Sequence, residues 1–472
     1  MTQAARAGLA GRLFWPVALI TAALMVWGIW RPYSFWVDEI FSVVAAGETP
    51  PDMFAHWILI DVHPPLYQLL LNAWVHAFGS SELAARSLSL LPGLAVVALA
   101  ILLRRRRPEL SGFCLFLLAM PWLVYNAQET RSYIYLYLLA LTALYGLMSA
   151  RRSLFLASLV LMSWLHYFGL FLALSLLFVQ VVSAWRIRRG DLLAGLLMLT
   201  WLPLHLTFGN LLHNASGGFW IQVAGPGETL ANLFSALSPA CQLAWRVSHQ
   251  IAWAYALVLL LWLGYFPWRH WRGHAVDRLD LQLSWSLLLF IGGIMVIDQF
   301  VPMSTQRNFL IAMPLMAWLL WRIARERLAG WRWSAFLLLW LVAQLGTAAA
   351  LMQHKQSAVE NYRGATQAVL ALTAMGERGW YLDTCEIDRV YNSDAINNFY
   401  VDQLGGAGVH LRRLCTHDLP ALPPGQVVLA CHQMSFEALR ALMPAGYAAH
   451  AMDAKGLCAV LAPAGVTLPP AR

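Results

Sequence analysis

The sequence predicts an all-α polytopic membrane protein of about eleven transmembrane helices, followed by a small extracytoplasmic α/β domain. Of its 472 residues, 60% are hydrophobic and 12% are charged, whereas soluble domains carry roughly 25% charged residues. Apolar runs close to the ~20 residues that cross a bilayer recur from residue 13 to residue 352. This composition excludes a disordered chain, a collagen-like repeat and a small disulfide-stapled protein.

The apolar runs predict eleven spans in chain order. They lie near residues 13–30, 83–103, 110–125, 132–149, 153–168, 169–185, 191–208, 251–267, 282–301, 308–321 and 333–351. The apolar segment 65–78 is shorter, so we expect a helix that lies on or dips into the outer face rather than a twelfth span. No small-residue cleavage site follows the first span, which is therefore predicted to be an uncleaved anchor.

The arginines predict how the chain threads through the bilayer, because Lys and Arg accumulate in cytoplasmic loops. With the N-terminus in the cytoplasm, eighteen of the twenty-three arginines before residue 352 fall on the cytoplasmic side. The other five are Arg31, Arg86, Arg131, Arg246 and Arg307. This distribution also explains the net charge of +8, so we expect the lipid bilayer and no nucleic acid as a partner.

The tail has a different composition from the rest of the chain. An odd number of spans places residues 353–472 outside, separate from a membrane domain of residues 1–352 whose first outer loop is 31–82. Short apolar runs at 426–430 and 458–462 alternate with helix-like stretches such as 435–442, which indicates an α/β domain.

Four of the six cysteines lie in this tail: Cys385, Cys415, Cys431 and Cys458. Four cysteines outside the cytoplasm suggest disulfides and allow three pairings. We prefer Cys385 with Cys415 and Cys431 with Cys458; the alternative is that two or more are buried thiols. There is no C-x-x-C, so neither a zinc site nor a redox motif is expected.

Acidic residues gather on the predicted outer side. Nine of the fourteen before residue 352 fall there: Asp38, Glu39, Glu48, Asp52, Asp61, Glu82, Glu129, Glu228 and Asp298. Positive-inside sorting depends little on Asp and Glu, so it does not explain this excess. Because charge inside a membrane costs about 2.5–3.5 kcal/mol per residue at a helix centre, such residues are functional candidates.

Two motifs carry the clearest candidates. In Trp36-Val-Asp38-Glu39, one carboxylate can act as a general base and the other can orient a substrate or hold a cation; the alternative is an acidic first turn of a helix. In Asp61-Val-His63-Pro-Pro-Leu-Tyr67, the prolines present Asp61 and His63 rigidly where an apolar helix begins.

Further polar residues stand at predicted outer ends of spans: Gln128, Glu129, Arg131, Tyr133, His166, Tyr167 and Arg307. Arginines suit phosphate recognition through bidentate contacts. Arg86 belongs with them, although its alternative role is pairing with Glu82 four residues earlier. The glycine-containing stretch 209–250 is either a mobile cover over the site or an ordinary connection.

At these residues the sequence resembles bacterial membrane glycosyltransferases of the GT-C fold, family-39-like proteins related to protein O-mannosyltransferases and lipid A aminoarabinose transferases. The matching pieces are WVDEIFS (36–42), DVHPPLYQLLLNAWVHAFGSSELAARSLSLLPG (61–93), YNAQETRSYIYLYLL (125–139), LHYFGLF (165–171) and STQRNFLIAMPL (304–315). They occur in the family's order, and ENYRGA (360–365) also looks like the stretch that follows the family's last span.

The resemblance implies a multi-pass protein of the bacterial inner membrane that transfers a sugar from a polyprenyl-phosphate-linked donor, with inversion. The acceptor hydroxyl would belong to a lipid, a glycan or a protein. Asp38 would be the base, and Glu39 would position the acceptor or assist a metal. Asp61, His63 and Tyr67 would line the cavity of substrate-binding residues. Arg86 and Arg131 would face the donor phosphate, with Arg307 and Arg363 as further candidates.

One position departs from the related aminoarabinose transferases, which have Lys where this chain has His63. A phosphate contact is therefore not carried over to His63. No cofactor is expected, and a divalent cation stays an open alternative because the sequence shows no clear set of ligands.

Two other function classes compete with the transferase. A lipid or glycan transporter would place polar residues along a pathway through the bilayer, whereas here they gather at one face and no inverted repeat is visible. A non-catalytic envelope scaffold would not need the pair Asp38 and Glu39.

Overall fold

The computed structural model describes residues 3–31, 33–59, 61, 63–208, 225–237, 257–358, 360–374, 378–385, 393–406, 408–431 and 434–468. Six helices in these ranges are long and apolar enough to cross a membrane: Gly8–Trp30, Glu82–Arg106, Tyr167–Ala184, Arg189–Thr207, Arg278–Ile297 and Trp331–Gln353. Shorter apolar helices are Pro108–Leu118, Tyr133–Met148 and Arg152–Leu165. The predicted class of a helical polytopic membrane protein is confirmed.

Three predicted spans are interrupted where proline restarts a helix. The span at 110–125 consists of a 3₁₀ turn Pro108–Leu110 and the helices Ser111–Leu118 and Pro121–Asn126. The span at 191–208 divides into Arg189–Met198 and Trp201–Phe208. The span at 308–321 begins as a 3₁₀ helix Gln306–Ala312 and continues as Met313–Arg327. Proline lacks the N–H that a continuous helix needs but fits the first turn of a new one.

Other helices lie close to the predicted positions. Leu66–Phe78 has 13 residues, too few to cross a bilayer core that needs ~20, and its position at the membrane surface stays a prediction. Residues 251–256 of the predicted eighth span lie outside the described residues, while 257–263 and Tyr265–Trp271 are helical. The remaining described helices before residue 60 are Val37–Gly47, Pro50–Met53 and a π-helical turn Phe54–Ile58.

The chain forms two compact units. The first comprises Met1–Gly28, Phe54–Leu69 and Ser87–Ala350, and the second comprises Ile29–Met53, Leu70–Arg86 and Leu351–Arg472. Two early segments thus pack with the tail, which the sequence did not indicate. The division into 1–352 and 353–472 stays a prediction.

In the first unit, Asp298 holds the backbone that follows helix Arg278–Ile297 by hydrogen bonds. Its fully buried carboxylate accepts hydrogen bonds from the N–H groups of Met303 and Ser304 and from the hydroxyl of Thr229. Thr229 belongs to helix Pro226–Leu237, whose residues Leu230, Leu233 and Leu237 are buried. This part of the predicted cover is a packed helix, and residues 209–224 and 238–250 lie outside the described residues.

The second unit contains a five-stranded sheet of β1 (Arg378–Asp383), β2 (Arg412–Cys415), β3 (Gln426–Cys431), β4 (Tyr447–Ala451) and β5 (Cys458–Pro463). The strand order is β2-β1-β3-β5-β4. Strand β1 is parallel to β2 and β3, while β5 is antiparallel to β3 and β4. The α/β domain predicted for the tail is therefore confirmed.

Helices cover this sheet and explain its burial pattern. Every residue of β3 is buried, because helix Tyr362–Thr373 packs on β3 and β5 while a leucine-rich cluster with Leu382, Leu419 and Leu461 fills the core. The other helices of the tail are Ser393–Gln403, Phe436–Ala441 and a 3₁₀ turn Thr416–Ala421.

Both preferred disulfides are present. Cys385 is bonded to Cys415, which joins the ends of β1 and β2, and Cys431 is bonded to Cys458 between the paired strands β3 and β5. The pairing predicted from the sequence is confirmed.

Candidate functional site

The acidic pair Asp38 and Glu39 lies in the first turn of helix Val37–Gly47. Carboxylates are favourable there, since the helix dipole places partial positive charge at the N-terminus. The two side chains have different environments, because Glu39 is fully buried whereas Asp38 is partly exposed. Of the two, Asp38 is the carboxylate that solvent and a substrate can reach.

Glu39 forms a fully buried ion pair with Arg86. Arg86 Nε lies 3.0 Å from Glu39 Oε1, and Arg86 Nη2 lies 2.6 Å from Oε2, so the contact is bidentate. The guanidinium also donates to the carbonyl oxygens of Tyr33 and Ser34 and lies 3.7 Å from the Tyr33 ring centroid. Both carboxylate oxygens and all three guanidinium nitrogens are therefore engaged within the protein.

This geometry changes what Glu39 and Arg86 can do. Arg86, predicted to face the donor phosphate, is 0% exposed and pairs with Glu39 rather than with Glu82. Both oxygens of Glu39, predicted to position the acceptor or assist a metal, face the guanidinium. A divalent cation does not fit beside Glu39, because the cationic Arg86 already occupies that position.

The other candidate of the second unit, Arg363, lies next to Glu82. Arg363 Nη1 is 3.0 Å from Glu82 Oε1, and the same oxygen accepts a hydrogen bond of 2.8 Å from the Tyr400 hydroxyl. Burial and the Glu82 carboxylate raise the pKa of Tyr400, so its hydroxyl stays protonated and can donate this bond.

In the first unit, the Asp-x-His and His-Tyr motifs come together although about a hundred residues separate them. Asp61 Oδ1 lies 3.0 Å from His63 Nδ1, with both side chains about a quarter exposed. The rings of His63 and His166 are 4.9 Å apart and nearly perpendicular. His166 Nδ1 accepts a hydrogen bond from the N–H of Phe168, so the proton of the neutral ring sits on Nε2.

Arginine and tyrosine surround this pair of histidines. Tyr133 is 5.8 Å from the His166 ring, and the guanidinium of Arg307 lies 5.9 Å from the Tyr133 ring. Arg131 and Arg307 both interact electrostatically with His166. These two arginines are partly exposed, which distinguishes them from the buried Arg86.

Three tyrosine contacts complete the description of the first unit's candidates. The Tyr167 hydroxyl lies 2.6 Å from Nδ1 of the fully buried His205, and Asp61 interacts electrostatically with Tyr167. Tyr67 packs edge-on against Tyr135 at 6.0 Å.

Gln128 and Glu129 are only 1% and 2% exposed, which is too little for contact with solvent or a substrate. Gln128 Nε2 donates to the carbonyl oxygen of Leu24 in the first helix. A Cβ on Gly28 would overlap Gln128 Cδ, so Gly28 leaves the space that the Gln128 amide fills. The structure thus places Gln128 in the packing of the first helix.

Sequence reasoning missed several residues of these clusters. Lys355 is buried with its ammonium 5.4 Å from the Tyr33 ring centroid, and it is one of only two lysines in the sequence, a signal that could have identified it. His205, Glu360 and Tyr400 gave no comparable signal, because the residues that they contact are distant in sequence.

Side chains that could ligate a metal come together at one place in the second unit. In the part of the chain that the structure describes, the one group of three ligand-type side chains around a common point is Cys415, His417 and Asp418. Cys415 is disulfide-bonded and offers no thiolate, so this group does not make a metal site.

Comparison with known proteins gives a likeness in structure but none in sequence. The sequence matches no protein-family model and no curated protein significantly. Two crystal structures of ArnT from Cupriavidus metallidurans, one in the apo state and one bound to undecaprenyl phosphate, each superpose with a TM-score of 0.54 at 16% identity. The matches cover 95% and 97% of this chain, and 97% and 98% of the ArnT chains. This chain therefore has the GT-C fold of ArnT, a lipid A aminoarabinose transferase, as the sequence resemblance implied.

Proposed function

We propose that this protein is an integral membrane glycosyltransferase that transfers a sugar from a polyprenyl-phosphate-linked donor to an acceptor hydroxyl. The GT-C fold supports the class, and the ArnT structure with undecaprenyl phosphate supports a polyprenyl-phosphate partner. The observation that carries the proposal is the division of the acidic pair, with Glu39 buried against Arg86 and Asp38 partly exposed.

In the proposed reaction Asp38 is the base. Its carboxylate takes the proton of the acceptor hydroxyl, whose oxygen attacks the anomeric carbon of the sugar. The bond from that carbon to the phosphate oxygen breaks, and the polyprenyl phosphate leaves with the electron pair. Attack from the face opposite the phosphate inverts the anomeric carbon. One base is sufficient, because the leaving phosphate needs its charge neutralised more than it needs a proton.

Arg131 and Arg307 are the proposed phosphate contacts. Both are partly exposed and interact with the histidine-tyrosine cluster of His63, Tyr133 and His166. Arginine neutralises a phosphate through planar, bidentate donors and stays charged at all physiological pH values. Asp61, Tyr67 and Tyr167 would line the same cluster, whereas Arg86 stays with Glu39.

We place the reaction on the outer face of a bacterial inner membrane, with the N-terminus in the cytoplasm and the tail outside. The concentration of arginines in alternate loops supports this orientation. The two disulfides of the tail fit an oxidising compartment.

A deletion strain tests this function and identifies the acceptor. We expect lipid and glycan analysis of the strain to show the loss of one sugar from a lipid, glycan or protein. A plasmid copy of the wild type should restore that sugar, while Asp38→Asn should not, since a positioned base contributes about 10²–10⁴ in rate.

Asp52→Asn is the matched control, because Asp52 is an exposed carboxylate fourteen positions further along the chain. It should restore the sugar as the wild type does. Restoration by Asp38→Asn would contradict the proposal, as would a deletion strain in which lipids, glycans and protein-linked sugars are all unchanged.

A further inference from the structure

The turn that carries Asp38 is held by the segment that follows the long helix Trp331–Ala358. Val37 is the first residue of the Asp38 helix, and Trp36 before it supplies no side-chain cap. Glu360 supplies one instead, although it lies 323 positions further along the chain. Its Oε2 accepts a hydrogen bond of 2.8 Å from the Val37 N–H. Glu360 is 4% exposed, so this cap is shielded from water.

The residues immediately before the helix are held from the same side. The Tyr400 hydroxyl accepts the N–H of Phe35 at 2.7 Å, and the N–H of Arg363 donates to Ser34 Oγ at 3.1 Å. Tyr400 and Arg363 are themselves fixed by Glu82 Oε1. Residues 34, 35 and 37 thus each have a hydrogen-bond partner in this clamp, which we define as Glu360, Arg363 and Tyr400.

Tyr362, which lies in sequence between the clamp residues Glu360 and Arg363, is within electrostatic range of Asp38. Burial, together with the neighbouring carboxylates of Glu360 and Asp38, raises the pKa of Tyr362 well above its ordinary value. The phenol therefore stays protonated, and Glu360 and Asp38 both lie within electrostatic range of this one ring.

We propose that Glu360 is a positioning residue for Asp38: its carboxylate fixes the first turn of the Asp38 helix, so that the tail segment sets where the base points. This inference rests on the proposed function, in which Asp38 is the base. Glu360 itself touches neither donor nor acceptor, so it should govern the rate of the chemical step and leave donor binding unchanged. Displacement of a reacting group by about 1 Å can cost ~10²-fold in rate.

Three variants separate the effect of side-chain length at position 360 from the effect of its charge. Glu360→Gln keeps an acceptor oxygen at the same distance but removes the charge. Glu360→Asp keeps the charge but shortens the side chain by one methylene, which takes the oxygen out of hydrogen-bond range of Val37. Glu360→Ala removes both. Glu437→Ala is the control, because Glu437 is an exposed glutamate of the same unit in helix Phe436–Ala441.

The assay uses full-length protein in nanodiscs with polyprenyl-phosphate-linked sugars and acceptor, both extracted from membranes of the host strain. Released polyprenyl phosphate gives kcat, and titration with undecaprenyl phosphate gives Kd. We expect kcat to fall about 10²-fold in Glu360→Ala and Glu360→Asp, and less than about tenfold in Glu360→Gln. The tenfold ratio between these two losses corresponds to ~1.4 kcal/mol in activation free energy. Kd should stay within about twofold in all three and in the control.

Hydrogen exchange of the peptide covering residues 33–42 reports positioning without any sugar donor. Faster exchange is expected in Glu360→Ala and Glu360→Asp, and exchange close to that of the wild type in Glu360→Gln. Glu360→Gln and Glu360→Asp each preserve part of the side chain, so the comparison does not depend on Glu360→Ala folding.

Several results would overturn the inference. These are a kcat in Glu360→Asp equal to or above that of Glu360→Gln, unchanged exchange in Glu360→Ala, or a Kd that rises as much as kcat falls. Asp38→Asn in the same assay distinguishes the two proposals. Turnover by Asp38→Asn at the wild-type rate removes the proposed function, whereas a slow Asp38→Asn beside a fully active Glu360→Ala removes this inference alone.

Discussion

Removal of the buried Arg86 guanidinium tests whether this residue is structural or binds phosphate. Arg86→Ala leaves the Glu39 carboxylate buried without its cation and leaves the carbonyl oxygens of Tyr33 and Ser34 without their donor. Breaking a buried pair by removing one partner costs about 3–5 kcal/mol. We therefore expect Arg86→Ala to lower the free energy of unfolding by about that amount.

The double variant Arg86→Met with Glu39→Leu sharpens this prediction. Replacing both members of a buried ion pair with apolar side chains is often nearly neutral. The double variant still loses the hydrogen bonds from Arg86 to the carbonyl oxygens of Tyr33 and Ser34, at about 1–3 kcal/mol. The double variant should be more stable than Arg86→Ala alone. Arg105→Ala is the control, since Arg105 is exposed on the same helix and should change stability by less than ~0.5 kcal/mol.

Unfolding of the detergent-solubilised protein can be followed by the fluorescence of its 23 tryptophans, beside titration with undecaprenyl phosphate. If Arg86 has a structural role, Arg86→Ala should be destabilised but should bind undecaprenyl phosphate normally while folded. Arg86→Ala as stable as Arg105→Ala, but without affinity for undecaprenyl phosphate, would refute it and restore the role that the sequence predicted.

Further predictions concern packing and the tail. Gly28→Ala should lower the free energy of unfolding by about 1–3 kcal/mol, because the added methyl displaces the Gln128 amide. The double variant Gly28→Ala with Gln128→Ala should be more stable than Gly28→Ala alone. Equal stability of Gly28→Ala and the wild type in thermal unfolding would contradict this packing. If the tail lies outside the cytoplasm, a reporter fused after residue 472 should be active there and inactive in the cytoplasm. Non-reducing peptide mass spectrometry should recover Cys385 linked to Cys415 and Cys431 linked to Cys458. A cytoplasmic reporter or four free thiols would overturn the placement of the tail.

Much of the fold could be predicted from the sequence because its signals are local. Apolar length defined helices such as Glu82–Arg106 and Arg278–Ile297 to within a few residues. Short apolar runs predicted β3 and β5. The preferred pairing among the three open to the tail cysteines is the one that the structure has. The interruption before Pro121 was missed, because hydropathy averaged over a span does not register a single missing N–H.

The candidate site was less predictable because it depends on pairs that are distant in sequence. Charge and position made Arg86 look like a phosphate ligand, and only its partner Glu39, 47 positions away, shows that it is buried in an ion pair. The same holds for Glu360 and Val37, which lie 323 positions apart. The contact of His63 with His166 and that of Tyr167 with His205 also join residues that are distant in sequence, so neither could be predicted from the motifs.

Release of polyprenyl phosphate by the purified protein tests the proposed sugar transfer most directly. Wild-type protein in nanodiscs, given polyprenyl-phosphate-linked sugars and acceptor from the host membranes, should release polyprenyl phosphate. Asp52→Asn should match it, and Asp38→Asn should be slower by about 10²–10⁴ while binding undecaprenyl phosphate as tightly as the wild type. Equal release by Asp38→Asn and the wild type would show that Asp38 is not the base.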